Sequence, residues 1–81
     1  MSTVNSEFST ALAAVIKKHR LAKGLSQNQL SKLSGVSQSY VGELERGLYS
    51  PTVDVAFALS EALDVPFSKM VGEAEKLKKR S

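Results

Sequence analysis

The chain has 81 residues, of which 42% are hydrophobic, and a formal net charge of +3. This length allows one small domain with a modest core, and the absence of cysteine excludes disulfide bridges and thiolate metal sites. No apolar run reaches the roughly 20 residues of a membrane span, and the N-terminus lacks the pattern of a signal peptide. We therefore expect a cytoplasmic protein that does not enter a membrane.

The positive charge lies mainly in the first part of the chain. Residues 1–50 contain six basic and three acidic residues, whereas residues 51–81 contain five of each. An excess of basic charge is typical of a surface that binds nucleic acid. A solvated surface on a mildly basic protein would give the same counts, so charge alone leaves both interpretations open.

Five helical segments and no strand are predicted from apolar spacing and capping residues. The first runs from about Glu7 to Lys23. The second begins after Ser26, which forms a capping-box pattern with Gln29. It ends at Ser34-Gly35, where glycine allows the backbone conformation of a sharp turn.

The remaining three helices follow in the second half of the chain. The third is capped by Ser37 and ends at Gly47. The fourth is a strongly apolar segment over residues 53–63. The last begins at Pro66 and continues toward the basic tail, although Gly72 interrupts its apolar pattern.

This pattern predicts a single domain with short extensions. Residues 1–6 are expected to form a flexible N-terminal extension. Residues 7–71 form the helical domain. Residues 72–81 form a C-terminal extension with a basic tail.

A set of landmark residues at fixed spacing covers most of this domain. They are Leu25-Ser26-Gln27, Leu30-Ser31, Gly35-Val36-Ser37, Val41, Leu44-Glu45-Arg46-Gly47, Pro51-Thr52, Leu59 and Ala62-Leu63-Asp64-Val65. Together they resemble the phage repressor/Cro-type (Xre-like) helix-turn-helix family over about residues 10–71. The resemblance implies an all-α fold, a compact five-helix lambda-repressor-like bundle. Its second and third helices would form a helix-turn-helix that binds DNA, usually as a dimer.

The resemblance also implies which side chains on the third helix contact bases. These are Gln38, Ser39 and Glu43. A glutamine amide matches the donor and acceptor of adenine, serine can serve several bases, and glutamate can accept a hydrogen bond from cytosine N4. Glu43 has an alternative role as a surface acid or as a partner of Arg46, because phosphates repel a carboxylate.

Contacts to the DNA backbone are expected from a second group of residues: Gln27, Arg46, Lys18, Lys32, Tyr49 and Ser50. Gln27 stands at the N-terminus of the second helix, where unpaired amides suit an anion. Alternatively, Gln27 caps the helix or is solvated, the lysines are solvated, and Tyr49 packs at the base of its loop. Phosphate contacts set register and affinity and carry little sequence information.

Three further positions have expected structural roles. The family pairs residues matching Arg20 and Glu45 inside the fold, so we expect a structural ion pair rather than a phosphate contact at Arg20. Gly42 costs about 1 kcal/mol relative to alanine in a helix; it either permits close approach to the groove or is simply tolerated. His19 is expected to be partly buried and hydrogen-bonded at the edge of the core.

The resemblance implies a sequence-specific DNA-binding transcriptional regulator that binds a pseudo-palindromic operator as a dimer through the major groove. The alternative is an antitoxin or other protein-binding module with secondary DNA binding. No catalytic constellation, cofactor motif or metal-ligand cluster is present in the sequence. We therefore expect a protein that is not an enzyme, has no cofactor or metal, and shows no sign of a small-molecule effector.

A homodimer would have to be built from the domain itself. The predicted surface is the apolar stripe of the last helix, formed by Phe67, Met70, Val71, Ala74 and Leu77. The alternative is that part of this stripe packs against Phe8 and Leu12 of the same chain.

Overall fold

The computed structural model of the protein describes residues 7–80, with side chains described up to residue 78. Five helices follow one another along the chain: α1 (Glu7–Ala22), α2 (Gln27–Ser34), α3 (Gln38–Glu45), α4 (Val53–Ala62) and α5 (Phe67–Arg80). No strand occurs between residues 7 and 80. The predicted all-α fold with five helices is confirmed, while the predicted extension at residues 1–6 lies outside the described residues.

Local capping explains where the inner helices begin. The Ser26 hydroxyl accepts a hydrogen bond from the Gln29 amide at 3.0 Å, and the Gln29 side chain accepts one from the Ser26 amide at 2.8 Å. Ser37 and Thr52 cap α3 and α4 in the same way, through the amides three residues further on. These side chains satisfy amides that the helices cannot pair themselves, so the predicted starts are confirmed.

The core is formed by buried side chains from all five helices. Its buried members are Ala11, Leu12, Val15, Ile16, Leu30, Val41, Leu44, Ala56, Leu59, Leu63, Met70 and Ala74. Burial of these side chains is the main stabilising contribution in a domain without disulfides. The inner side of α3 is anchored in this core, because Val41 and Leu44 have no exposed surface.

Helix α5 packs along α1, and this packing corrects the prediction for the dimer surface. Met70 and Ala74 are fully buried within the single chain. They are therefore unavailable to a partner, and assigning them to a dimer surface was wrong. Phe67 also packs against the core, Val71 is half-buried, and Leu77 is 41% exposed.

Polar contacts fasten the same two helices together. His19 Nε2 lies 2.8 Å from Glu73 Oε1, and Lys18 Nζ lies 3.0 Å from the same oxygen. The expectation of a partly buried, hydrogen-bonded His19 is confirmed. Hydrogen bonds from Lys18 and His19 lower the pKa of the Glu73 carboxyl. We call these three residues the α1–α5 clamp.

Helix α5 is continuous through Gly72. It crosses the predicted boundary between residues 71 and 72 without a break, because Met70 and Ala74 on either side are held in the core. Among residues 7–80, no helix combines the length and the apolar character needed to span a membrane.

Candidate nucleic-acid interface

The helix-turn-helix is formed by α2, a three-residue turn and α3. Gly35 ends α2 with φ at +80°, a conformation that side chains other than glycine rarely adopt. Val36 packs against the core, and Ser37 caps α3. The turn is thus held at its centre, and Gln38 and Ser39 are exposed at the start of α3.

An open cleft of about 350 Å³ lies between the start of α2 and the outer face of α3. It is lined by Gln27, Gln38, Ser39, Gly42, Glu43 and Arg46. All three residues predicted to contact bases are therefore brought to one surface, together with two of the residues predicted to contact phosphate. The surface offers amide, hydroxyl, carboxylate and guanidinium groups, which are the groups that recognise base edges and phosphates.

The predicted ion pair between Arg20 and Glu45 is confirmed. Arg20 donates from Nε to Glu45 Oε2 at 2.7 Å and from Nη2 to Oε1 at 2.9 Å, and the two side chains are 8% and 2% exposed. Its Nη1 also donates to the Leu25 carbonyl at 2.7 Å. The hydrogen bond to Glu45 raises the pKa of Arg20 further. The pair joins α1 to the end of α3 and to the loop before α2.

Gln27 extends this network into the cleft. Its Nε2 donates to Glu45 Oε1 at 3.1 Å. A Cβ atom on residue 42 would lie 3.2 Å from Gln27 Oε1, which is closer than an ordinary contact. Gly42 therefore leaves room for the Gln27 side chain, a role that neither sequence-based explanation of this glycine contained. The two residues are fifteen positions apart, and no local pattern in the sequence connects them.

Tyr49 provides a second contact that the sequence did not predict. Its hydroxyl donates to Glu43 Oε1 at 2.8 Å, and its ring stacks on Tyr40 with centroids 5.0 Å apart and an interplanar angle of 12°. The hydrogen bond and the charge of Glu43 raise the pKa of Tyr49. Tyr40 is partly buried and packs against the core. The sequence contained one signal for this contact: a tyrosine lies on each side of Gly47, and a glycine there allows the chain to reverse and bring the two rings together.

The other residues predicted to contact phosphate do not line the cleft. Lys18 belongs to the α1–α5 clamp. The Ser50 hydroxyl is hydrogen-bonded to that of Ser9 at 2.5 Å, which fixes the loop before α4 to α1. Lys32 is exposed in the last turn of α2.

Comparison with known proteins places this geometry in a family. Residues 16–70, about two thirds of the chain, match the model of the HTH_3 family, described as helix-turn-helix. The matched segment contains every residue of the cleft.

Individual proteins agree with this match. The chain is 35% identical over 60 residues to the HTH-type transcriptional regulator SutR of Escherichia coli, which covers 74% of this chain and 34% of SutR. The crystal structure of the clp gene regulator ClgR from Corynebacterium glutamicum superposes with a TM-score of 0.85 at 27% identity, over 93% of this chain and 80% of ClgR. The crystal structure of the restriction-modification controller protein C.AhdI from Aeromonas hydrophila gives a TM-score of 0.73 at 35% identity, over 76% of this chain and 94% of C.AhdI.

These likenesses are uneven in extent, because the chain spans only about a third of SutR but nearly all of C.AhdI. All of them include the bundle that carries α2 and α3. The chain belongs to the HTH_3 helix-turn-helix family.

Proposed function

We propose that the protein is a cytoplasmic, sequence-specific DNA-binding transcriptional regulator that binds a pseudo-palindromic operator as a homodimer. The observation that carries this proposal is the convergence of Gln38, Ser39 and Glu43 on one exposed cleft of α3, on the helix that this family places in the major groove. SutR is named as a transcriptional regulator and ClgR as a gene regulator, which supports the expectation that the protein is not an enzyme.

In this proposal the outer face of α3 contacts base edges. Gln38 and Ser39 lie at the N-terminal end of α3 and are exposed, where a recognition helix meets the groove floor. Glu43 lies one turn further along and accepts hydrogen bonds only, so its targets are the exocyclic amino groups of cytosine and adenine.

Backbone contacts are assigned to Gln27, Arg46 and Lys32. Gln27 stands at the first position of α2, where helix amides favour a phosphate, and the exposed Arg46 lines the cleft at its other end. Lys18, Tyr49 and Ser50 are left out because they do not line the cleft and their polar groups have partners within the chain. Gln27 also has a partner, the Glu45 carboxylate, but it lines the cleft.

The dimer is assigned to an apolar surface on α4 and the start of α5. Val53 is 71% exposed and Phe57 is 45% exposed, one helical turn apart on the same face. Phe67 packs edge-on against Phe57 at 5.8 Å. We call Val53, Phe57 and Phe67 the α4 patch. A second copy of the chain is its proposed occupant, because a helix-turn-helix dimer needs two α3 helices on successive major grooves.

Selection of bound duplexes from a random library, at low and moderate salt, tests the proposal. We expect a two-fold symmetric motif with half-site centres about 10 base pairs apart, and binding that weakens with salt as phosphates release counterions. The matched control replaces both Gln38 and Ser39 by alanine. Because both side chains are exposed, this variant should melt as the wild type does and retain salt-sensitive binding without the motif.

Failure of the wild-type protein to enrich any motif would contradict the proposal. That result would favour the alternative of a protein-binding module, and the next measurement would be co-purification with a small protein partner.

A further inference from the structure

The loop after α3 returns over the outer face of that helix. Gly47 has φ at +80°, and the Leu48 amide donates to the Glu43 carbonyl at 3.1 Å. Two residues on, the Ser50 hydroxyl is hydrogen-bonded to the buried Ser9 of α1. The chain on both sides of Tyr49 is therefore held in place.

Tyr49 itself is held by a side chain of α3. Its ring lies nearly parallel to that of Tyr40, with centroids 5.0 Å apart. From this position its hydroxyl donates to Glu43 Oε1 at 2.8 Å. A residue outside the recognition helix thus makes a directed hydrogen bond to a carboxylate that lines the cleft.

The chemistry of a carboxylate explains what this bond achieves. An ionised carboxylate has two oxygens with about four acceptor sites and no donor. Tyr49 takes up one site on Oε1, which leaves acceptor capacity on Oε2 for a donor on DNA. A glutamate without this bond would have to fix its side-chain rotamers when it bound a base, and that ordering opposes binding.

We propose that Tyr49 is a positioning residue that sets the base preference of Glu43, by holding its carboxylate toward an exocyclic amino group of cytosine or adenine in the major groove. This role rests on the proposed function of α3 as the recognition helix. Tyr49 acts through Glu43 and does not itself contact the base.

The test is the variant Tyr49→Phe, which keeps the ring that stacks on Tyr40 and removes the hydroxyl. Binding is measured against a set of operators that differ at one position at a time. We expect discrimination in favour of the amino-bearing base to fall about three- to tenfold at one position in each half-site, the size expected for one hydrogen bond. The preferences at other positions, the salt dependence and the melting temperature should stay unchanged.

Two further variants separate positioning from general damage. Glu43→Ala should abolish the preference at that position, and adding Tyr49→Phe to it should change nothing more, because the two residues act as one unit. Tyr40→Phe is the matched control: it removes the hydroxyl from the other ring of the stack and leaves the bond between Tyr49 and Glu43, so the preference should persist.

The possible results are distinguishable. A wild-type motif that Tyr49→Phe leaves unchanged at every position would overturn the role of Tyr49 and leave the proposed function standing. A sharper preference in Tyr49→Phe would also overturn it, because the hydroxyl would then compete with the base. A wild-type protein without a motif would overturn the proposed function and this role together.

Discussion

At the scale of single residues, Glu45 connects three helices. Its carboxylate accepts hydrogen bonds from Arg20 on α1 and from Gln27 on α2, while Glu45 itself ends α3. A buried charge is stable only when it is paired and hydrogen-bonded. The position of α3 therefore depends on hydrogen-bond donors that belong to α1 and α2.

Replacing Arg20 by alanine should destabilise the protein severely. The change leaves the carboxylate of Glu45, which is 2% exposed, without its charged partner, and breaking a buried ion pair in this way costs about 3–5 kcal/mol. We expect DNA binding to be lost through unfolding, seen as a large fall in the melting temperature. The control is Lys17→Ala, at an exposed position of the same helix. A normal melting curve for Arg20→Ala would contradict the structural role.

Replacing Gly42 by alanine should separate stability from binding. Alanine gains about 1 kcal/mol of helix propensity, but its Cβ would lie 3.2 Å from Gln27 Oε1 and would displace that side chain. We expect an equal or higher melting temperature and about three- to tenfold weaker DNA binding, the worth of one hydrogen bond. In a Gln27→Ala background the same substitution should no longer weaken binding. Unchanged affinity in the single variant would show that Gln27 tolerates the displacement.

At the scale of helices, the sequence predicted the features that depend on neighbouring residues, such as the helix starts. Ser26 and Ser37 mark helix starts because each bonds an amide three residues away, and the Arg20–Glu45 pair followed from the family resemblance. The sequence did not show which face of α5 is buried, because Met70 and Leu77 fit the same apolar stripe. Only packing against α1 distinguishes them.

The α1–α5 clamp should make stability depend on acid pH. The pKa of Glu73 is lowered from its ordinary value of 4.5, so the folded chain favours the ionised form. That contribution is present above about pH 4.5 and is lost as the pH falls through the lowered value in the folded state. Wild type should therefore exceed Glu73→Gln by about 1 kcal/mol or less at neutral pH, and the difference should vanish in acid.

Thermal melting of both proteins across this pH range is the measurement. The matched control is Glu75→Gln on the exposed side of α5, which should lower stability little at any pH. A difference between wild type and Glu73→Gln that stays constant down to pH 3 would show that ionisation of Glu73 does not hold the helices together.

At the scale of the whole molecule, size is consistent with two copies on one DNA face. The described residues span 34 × 22 × 19 Å. The two shorter dimensions are below the roughly 34 Å that separates successive major grooves. Two bundles can therefore lie side by side on successive major grooves without overlapping.

Loss of the α4 patch should weaken the dimer. Phe57→Gln places a polar group where an apolar contact is proposed, so we expect at least a tenfold increase in the dimer dissociation constant in sedimentation equilibrium. Binding to a two-fold operator should weaken with it, while binding to a single half-site should not. Leu33→Gln is the control, because Leu33 is 61% exposed on α2. An unchanged dimer in Phe57→Gln would remove this surface from the interface.

The residues that hold α3 in place are separate from the exposed residues at its N-terminal end, and this separation has a practical consequence. The buried pair of Arg20 and Glu45 holds α3 in its orientation. Gln38 and Ser39 take no part in this network and are exposed. Under the proposed function of α3, exchanging the side chains at these two sites should retarget the protein to another operator and leave the scaffold intact. Libraries randomised at positions 38 and 39 should yield mostly folded members, whatever sequence each one selects.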